Sequence, residues 1–157
     1  MANEAVLILH NLRSVYNVGS IFRTADAVGV SKIYLTGYTP TPLDRFGRKR
    51  KDFLKTALGA EDCVSWEAVA KPQKVIKKLR DKHFMIVALE QSARAVDYKK
   101  LSVEGAIAFL LGNEVRGLSP ALLKACDVIA EIPMRGKKES LNVSVAAGVI
   151  LFRVLDC

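Results

Sequence analysis

A chain of 157 residues, half of them hydrophobic, can bury one sizeable core but hardly two, and no linker, repeat or low-complexity segment divides it, so a single domain over residues 1–157 is expected. Its net charge of +8 favours a polyanionic partner, because each Lys or Arg that neutralises a phosphate releases condensed counterion. The longest apolar runs are strand-length, and Met1-Ala-Asn-Glu-Ala lacks the basic start and apolar region of a signal peptide, which argues against a membrane span and for a soluble, cytoplasmic protein.

In chain order, Val6-Leu-Ile-Leu9 reads as a buried strand, and from Asn17 the residues Val18, Ile21, Phe22, Ala25 and Val28 recur at helical spacing until Gly29. Lys32 to Thr36 is a second strand, and Gly37 to Pro42 is too rich in Pro and Thr to be anything but loop. Arg45, Arg48, Lys49, Arg50, Lys51 and Lys55 then form the densest basic cluster, interleaved with Phe46 and Phe53. Such a run is often only a solvated surface, but rings beside cations suit RNA, whose bases stack while its phosphates pair. A membrane surface is the rival polyanion. It needs a basic amphipathic anchor, and the most basic helix candidate, Lys71 to Lys82, offers only Val75, Ile76 and Leu79, so nucleic acid is preferred.

Cys63-Val-Ser-Trp66 reads as a third strand, Glu67 to Asp81 as a helix that tolerates Pro72 in its first turns, and Phe84 to Leu89 as a fourth strand. After Val96 to Leu101 come a strand at Ala106 to Leu111, a helix from Ser119-Pro120, a strand at Asp127 to Ile132 and a last helix from Asn142 to Leu155. Six strand–helix units with apolar strands point to an α/β fold: a mainly parallel sheet covered by helices on both faces. The last helix is apolar almost all round. One side of it is expected on its own sheet and the other on a second subunit, giving a dimer, unless the whole helix faces its own core.

Cys63, Cys126 and Cys157 are far apart and odd in number, and His10 and His83 stand alone. The cysteines read as reduced, inert thiols, and neither a disulfide framework, a zinc site nor a histidine-based triad is suggested, although carboxylate-only metal binding stays open. No G-x-G-x-x-G follows the first strand and no phosphate-binding P-loop pattern occurs. Ligands in open α/β sheets sit at the carboxyl ends of strands, so the segments after Leu89, Leu111 and Ile132 should converge on one pocket, where Gly112, Gly117 and Gly136 expose backbone groups. Ser140 and Asn142 suit a helix cap as well as a ligand contact.

Three stretches carry a resemblance: Asn11 to Gly29, Gly112-Asn-Glu114 with Gly117, and Ile132-Pro-Met134 followed by Ser140-Leu-Asn-Val-Ser-Val-Ala146. Together they resemble the signature motifs of the SpoU/TrmH-type RNA ribose 2′-O-methyltransferases of the SPOUT superfamily. The resemblance implies an enzyme acting on tRNA or rRNA, with S-adenosylmethionine bent in the loops of a C-terminal trefoil knot; with the dimer expected from the last helix and no metal-ligand cluster in the sequence, a homodimer that needs no metal is expected. Gly112, Ile132, Met134 and Leu141 would line the cofactor site, with Leu89 added from the preceding strand end.

A ribose 2′-hydroxyl is a very weak acid, so a cation or base must favour its alkoxide character, and the resemblance puts Arg23 in that role. Arg23 lies off the apolar stripe of its helix, on a face with Ser20, Thr24 and Ala27, and a surface pair with Asp26 is the plain alternative. A guanidinium rarely surrenders its proton, which favours charge stabilisation over general-base action. Asn17, Glu114, Ser140 and Asn142 would orient Arg23, the ribose and the cofactor. Val115 stands where relatives commonly have Gly, which is expected to reshape the pocket rim. Larger members carry a separate RNA-binding domain or flanking extensions, whereas this chain starts just before the first motif and stops just after the last helix, so the RNA is left open. The alternative is a non-catalytic RNA-binding or ribosome-associated module of the same fold. Methylation of a base nitrogen is disfavoured by the Ser-Leu-Asn form of the third motif.

Overall fold

Seven strands form one sheet in the computed structural model, which describes residues 2–155; Met1 of the expected leaderless start and the Cys157 thiol lie outside the described residues. The strands are β1 (Ala2–His10), β2 (Lys32–Thr36), β3 (Ser65–Val69), β4 (Met85–Leu89), β5 (Val96–Asp97), β6 (Gly105–Leu111) and β7 (Val128–Glu131). Their order is β3-β2-β1-β6-β4-β7-β5, and every pairing is parallel. The helices are α1 (Val15–Val28), α2 (Lys51–Ala57), α3 (Ala60–Cys63), α4 (Pro72–Asp81), α5 (Pro120–Ala125) and α6 (Val143–Val154), with a short 3₁₀ turn at Tyr98–Lys100.

The central strands have no polar face because both of their faces are covered. Successive side chains of a strand point opposite ways, so Leu7, Leu9 and Phe109 pack under α1, α2 and α6 with Ile21, Phe22, Phe53, Ile150 and Leu151. Ile8, Ile86 and Leu110 pack under α4 and α5 with Val75, Ile76, Leu79 and Leu122. The expected α/β architecture is therefore present, with a core on each side of the sheet.

The boundaries that move most are those of β1, which spans Ala2–His10 against the expected Val6 to Leu9, and those between Cys63 and Pro72. Cys63 closes the short helix α3, and the strand expected at Cys63 to Trp66 runs from Ser65 to Val69. The expected helix from Glu67 begins at Pro72, because Glu67 to Val69 belong to β3 and Pro72 takes the first helical turn, where its missing N–H costs nothing. The strand signal was weak because β3 is an edge: Ser65, Glu67 and Ala68 are exposed, and Glu67 reaches across to Lys32 of β2 at 2.8 Å. The two-residue β5, outside the six expected units, forms the opposite edge against β7. Among the described residues no helix is long and apolar enough to cross a membrane.

Candidate active site at the carboxyl edge of the sheet

Parallel strands deliver all their carboxyl ends to one edge, and a cleft of about 520 Å³ opens there. β4 contributes Leu89 and the following Glu90; the turn after β6 contributes Gly112, Asn113 and Glu114; the segment between β7 and α6 contributes Ile132, Met134, Ser140, Leu141 and Asn142; and α1 contributes Asn17. Every expected catalytic or cofactor residue except Arg23 thus lines one cavity. Leu89, Ile132, Met134 and Leu141 supply its apolar wall. Among the described residues its ionisable lining is Glu90, Glu114, Glu131 and Glu139, with no Lys or Arg, which suits a cationic or neutral ligand and mismatches a diphosphate.

The cleft is braced by hydrogen bonds that begin at Glu114. Its carboxylate accepts from the amides of Arg13 at 3.0 Å and Ser14 at 3.2 Å, just before α1, and from Asn17 Nδ2 at 3.4 Å. Partial burial pushes this carboxyl up, but the amides of Arg13, of Glu114 itself and of Ser14, with the Asn17 side chain, outweigh burial and hold its pKa below the ordinary value. Asn17 Oδ1 in turn accepts from Asn142 Nδ2 at 3.2 Å, and Asn142 Oδ1 caps α6 by accepting from the Ser144 amide at 2.9 Å. Asn142 therefore both caps and faces the cleft. Capping of α6 falls to Asn142, and Ser140 is exposed at the cleft rim.

Two bracing residues were not singled out from the sequence. Asn113, 7% exposed, donates to the Asn11 carbonyl and the Tyr38 hydroxyl, both at 2.9 Å, and its Oδ1 accepts from the amides of Val115 and Arg116. Glu90 accepts from the amides of Leu118 and Gln91. Gly117 has φ +66°, and a Cβ there would lie 2.3 Å from Glu90 Oε2, so the glycine and the carboxylate occupy complementary space. The Asn of Gly112-Asn-Glu114 was in view in the sequence; its burial and reach to Tyr38 were not.

Arg23 departs from expectation. Six residues beyond Asn17, it projects about 120° away around the helix axis and lies in a second, shallower cleft of about 460 Å³. Ser20, Thr24 and Ala27 line that cleft as expected, joined by Lys55 and Thr56 of α2 and Phe152 of α6. Arg23 is exposed and, among the described residues, pairs with neither Asp26 nor any other carboxylate.

The basic segment is partly neutralised within the chain. Arg48 pairs with Asp44 at 3.1 Å, Lys49 with Asp62 at 2.8 Å and Arg50 with Asp52 at 2.8 Å, leaving Arg45, Lys51 and Lys55 without an ion pair among the described residues. Its two aromatics part company. Phe46 is 66% exposed between the guanidinium groups of Arg45 and Arg48, whereas Phe53 is fully buried edge-on to Phe22 and is unavailable for stacking. His10 holds Thr36 Oγ1 through Nδ1 at 2.9 Å. Burial, helped by Asp127, pushes the Cys126 thiol up to about 11, so it is inert at neutral pH.

The profile of the SpoU rRNA Methylase family matches residues 4–152. The chain belongs to that family. A relative named as a putative TrmH family tRNA/rRNA methyltransferase of Staphylococcus aureus (strain MSSA476) is 35% identical over 96% of this SpoU-family chain and 58% of its own length. A 23S rRNA (guanosine-2′-O-)-methyltransferase, RlmB, of Xylella fastidiosa (strain 9a5c) is 35% identical over 96% of the chain and 57% of its own length. The chain therefore spans less than two thirds of these relatives. The crystal structure of an AdoMet-bound rRNA methyltransferase from Sinorhizobium meliloti superimposes with a TM-score of 0.87 at 30% identity, over 96% of this chain and 55% of that one.

Proposed function

We propose that the protein transfers a methyl group from S-adenosylmethionine to a ribose 2′-hydroxyl of tRNA or rRNA, working as a homodimer. The observation that carries this reading is the first cleft: an apolar wall and acidic side chains at the carboxyl edge of a parallel sheet, free of any cation that would repel a sulfonium. Leu89, Ile132, Met134 and Leu141 would hold an adenosine between them, and Gly112 leaves room for Leu118 and the Gly117 backbone, which a Cβ there would meet at 2.6 and 2.9 Å. Glu90 and Glu114 are committed to backbone amides, so Glu131 and Glu139 are the carboxylates left to face a cationic ligand. The bound cofactor would supply the electrophilic methyl, leaving the protein to align a nucleophile and stabilise its charge. The S. meliloti neighbour binds AdoMet and the X. fastidiosa relative methylates a guanosine 2′-oxygen of 23S rRNA, by their names.

In this reading Arg23 fixes a phosphate of the RNA and stabilises charge developing on the ribose oxygen, while Asn17, Glu114, Ser140 and Asn142 orient the groups around it. Arg23 and the first cleft face different ways on one chain, so the active site is completed across two copies, one giving the cleft and the other giving Arg23. Support comes from the outer side of α6, where Val145 is 51% and Phe152 43% exposed, the latter beside Arg23. Arg45, Arg48, Lys49, Arg50, Lys51 and Lys55 would grip the RNA. The trefoil knot belongs to the same proposal. It is supported by β7, the last strand in sequence, lying between β4 and β5, which precede it.

Mass spectrometry of nucleosides from the RNA of a deletion strain is the test. Loss of one 2′-O-methyl nucleoside is expected; an unchanged nucleoside profile, with no methyl transfer to that RNA in vitro, rejects the reading.

A further inference from the structure

Tyr38 follows β2 and leaves its side chain 59% exposed, yet the residue is held at both ends. Its amide donates to Asn11 Oδ1 at 3.1 Å, and its hydroxyl accepts from Asn113 Nδ2 at 2.9 Å. The surrounding backbone is closely specified. Asn11 is in the left-handed region with φ 55°, and Gly37 has φ 62° with a Cβ position only 1.8 Å from Asn11 Oδ1. Such conformations persist where neighbouring structure over-determines them. Asn113 is itself buried and lines the first cleft, so the Tyr38 hydroxyl is fastened to the wall of the candidate active site.

The other exposed rings are used differently. Phe46 is flanked by guanidinium groups 4.8 and 5.0 Å from its centroid. Tyr16, 48% exposed, makes no side-chain hydrogen bond to the cleft wall among the described residues. Tyr38 alone combines an open face, with no cation or ring partner among the described residues, and a fixed attachment to the cleft. Arg13 and Arg116, whose amides are bound to Glu114 and Asn113, are both exposed. They add positive charge near the same rim.

We propose that Tyr38 is a stacking platform for a nucleobase of the RNA, holding that base beside the first cleft so that its ribose meets the cleft mouth. The proposal rests on the RNA-methyltransferase reading and names a substrate contact which that reading lacks. A ring already fixed by its hydroxyl loses little freedom when a base lands on it, and every base offers a π-face, so the contact is tolerant of sequence.

Fluorescence anisotropy on the full chain tests this with two probes: a labelled single-stranded RNA of mixed sequence, and an abasic ribose-phosphate strand of equal length. Tyr38→Ala is expected to weaken binding of the base-bearing strand about tenfold, the scale of one missing stack, and to leave the abasic strand unaffected. Tyr38→Phe and Tyr38→Trp keep a ring and should stay within about threefold of the wild type, even though Phe lacks the bond to Asn113. Equal losses on both strands overturn the platform. So does a Tyr38→Phe loss as large as that of Tyr38→Ala, because the hydroxyl tie and not the ring would then be responsible. Calorimetry separates this from the parent reading: Tyr38→Ala should keep wild-type affinity for S-adenosylmethionine. A wild-type chain that binds no cofactor removes the methyltransferase reading, while the anisotropy comparison still decides Tyr38.

Discussion

On one side of α1, Asn17 joins Glu114 and Asn142 in a line of hydrogen bonds that closes the first cleft; on the other, Arg23 stands in solvent beside Lys55 and Phe152 with no ion pair among the described residues. The first side is braced within the chain, with Glu114, Asn17 and Asn142 bonded in series and an apolar wall formed. The second presents an unneutralised cation next to exposed apolar surface, a combination that folding alone does not require. Under the proposed reading, ligand binding and catalysis are therefore separable: the closed cleft would take a small molecule, and the open Arg23 face would meet RNA or a second copy of the chain.

The largest expected effect comes from breaking the Arg23 side. Arg23→Ala should lower single-turnover methyl transfer by about 100-fold or more, the scale of one missing oxyanion donor, while calorimetry finds cofactor affinity nearly unchanged. Arg23→Lys should rescue poorly, since a point charge does not reproduce a planar fork. A rate within a few-fold of wild type removes Arg23 from catalysis. On the same face, Phe152→Glu should convert the dimer to monomer or aggregate by placing a charge on the apolar patch, as sedimentation would show; a wild-type monomer at micromolar concentration contradicts the dimer.

The cleft side should respond in stability. Glu114→Gln weakens the acceptor for the Arg13 and Ser14 amides and should cost about 1–2 kcal/mol near neutral pH by denaturant titration. The folded-state pKa of Glu114 is lowered, so its contribution is fully present above the ordinary Glu range and is lost as pH falls through the lowered value. The gap between wild type and Glu114→Gln should therefore close on acidification; a gap that widens would reverse the assignment. The smallest effect belongs to the basic segment. Replacing Arg45, Arg48, Lys51 and Lys55 with Ser should flatten the dependence of RNA affinity on log salt by roughly 0.7 for each phosphate that is no longer neutralised, and an unchanged slope would assign them to solvent.

Much of this was legible in the sequence because parallel α/β folds write their strands as continuous apolar runs: Ala106 to Leu111 and Lys32 to Thr36 read directly as strands. The cleft residues were legible through motif spacing, which survives without knowledge of side-chain direction. What the sequence concealed was direction and pairing. Arg23 and Asn17 share one motif and one helix yet serve different clefts, Phe53 sits among cations yet is core, and the aspartates that neutralise Arg48, Arg50 and Lys49 lie at separations of 4, 2 and 13 residues that no single helical or strand period picks out. Asn113 and Glu90 were missed because their importance lies in backbone amides that only the folded turns bring within reach.

The central claim is that one copy supplies the cofactor cleft and another supplies Arg23, and subunit mixing tests it most directly. Arg23→Ala keeps an intact cleft, whereas Leu141→Arg, at a position 38% exposed on the cleft wall, should block the cleft and leave Arg23 in place. Each variant alone should be inactive. After the two are mixed and allowed to exchange subunits, random pairing should restore about a quarter of the wild-type methyl-transfer rate, because half the dimers regain one complete site. A mixture that exchanges subunits and stays as inactive as its components would contradict the claim and return Arg23 to the cleft of its own chain.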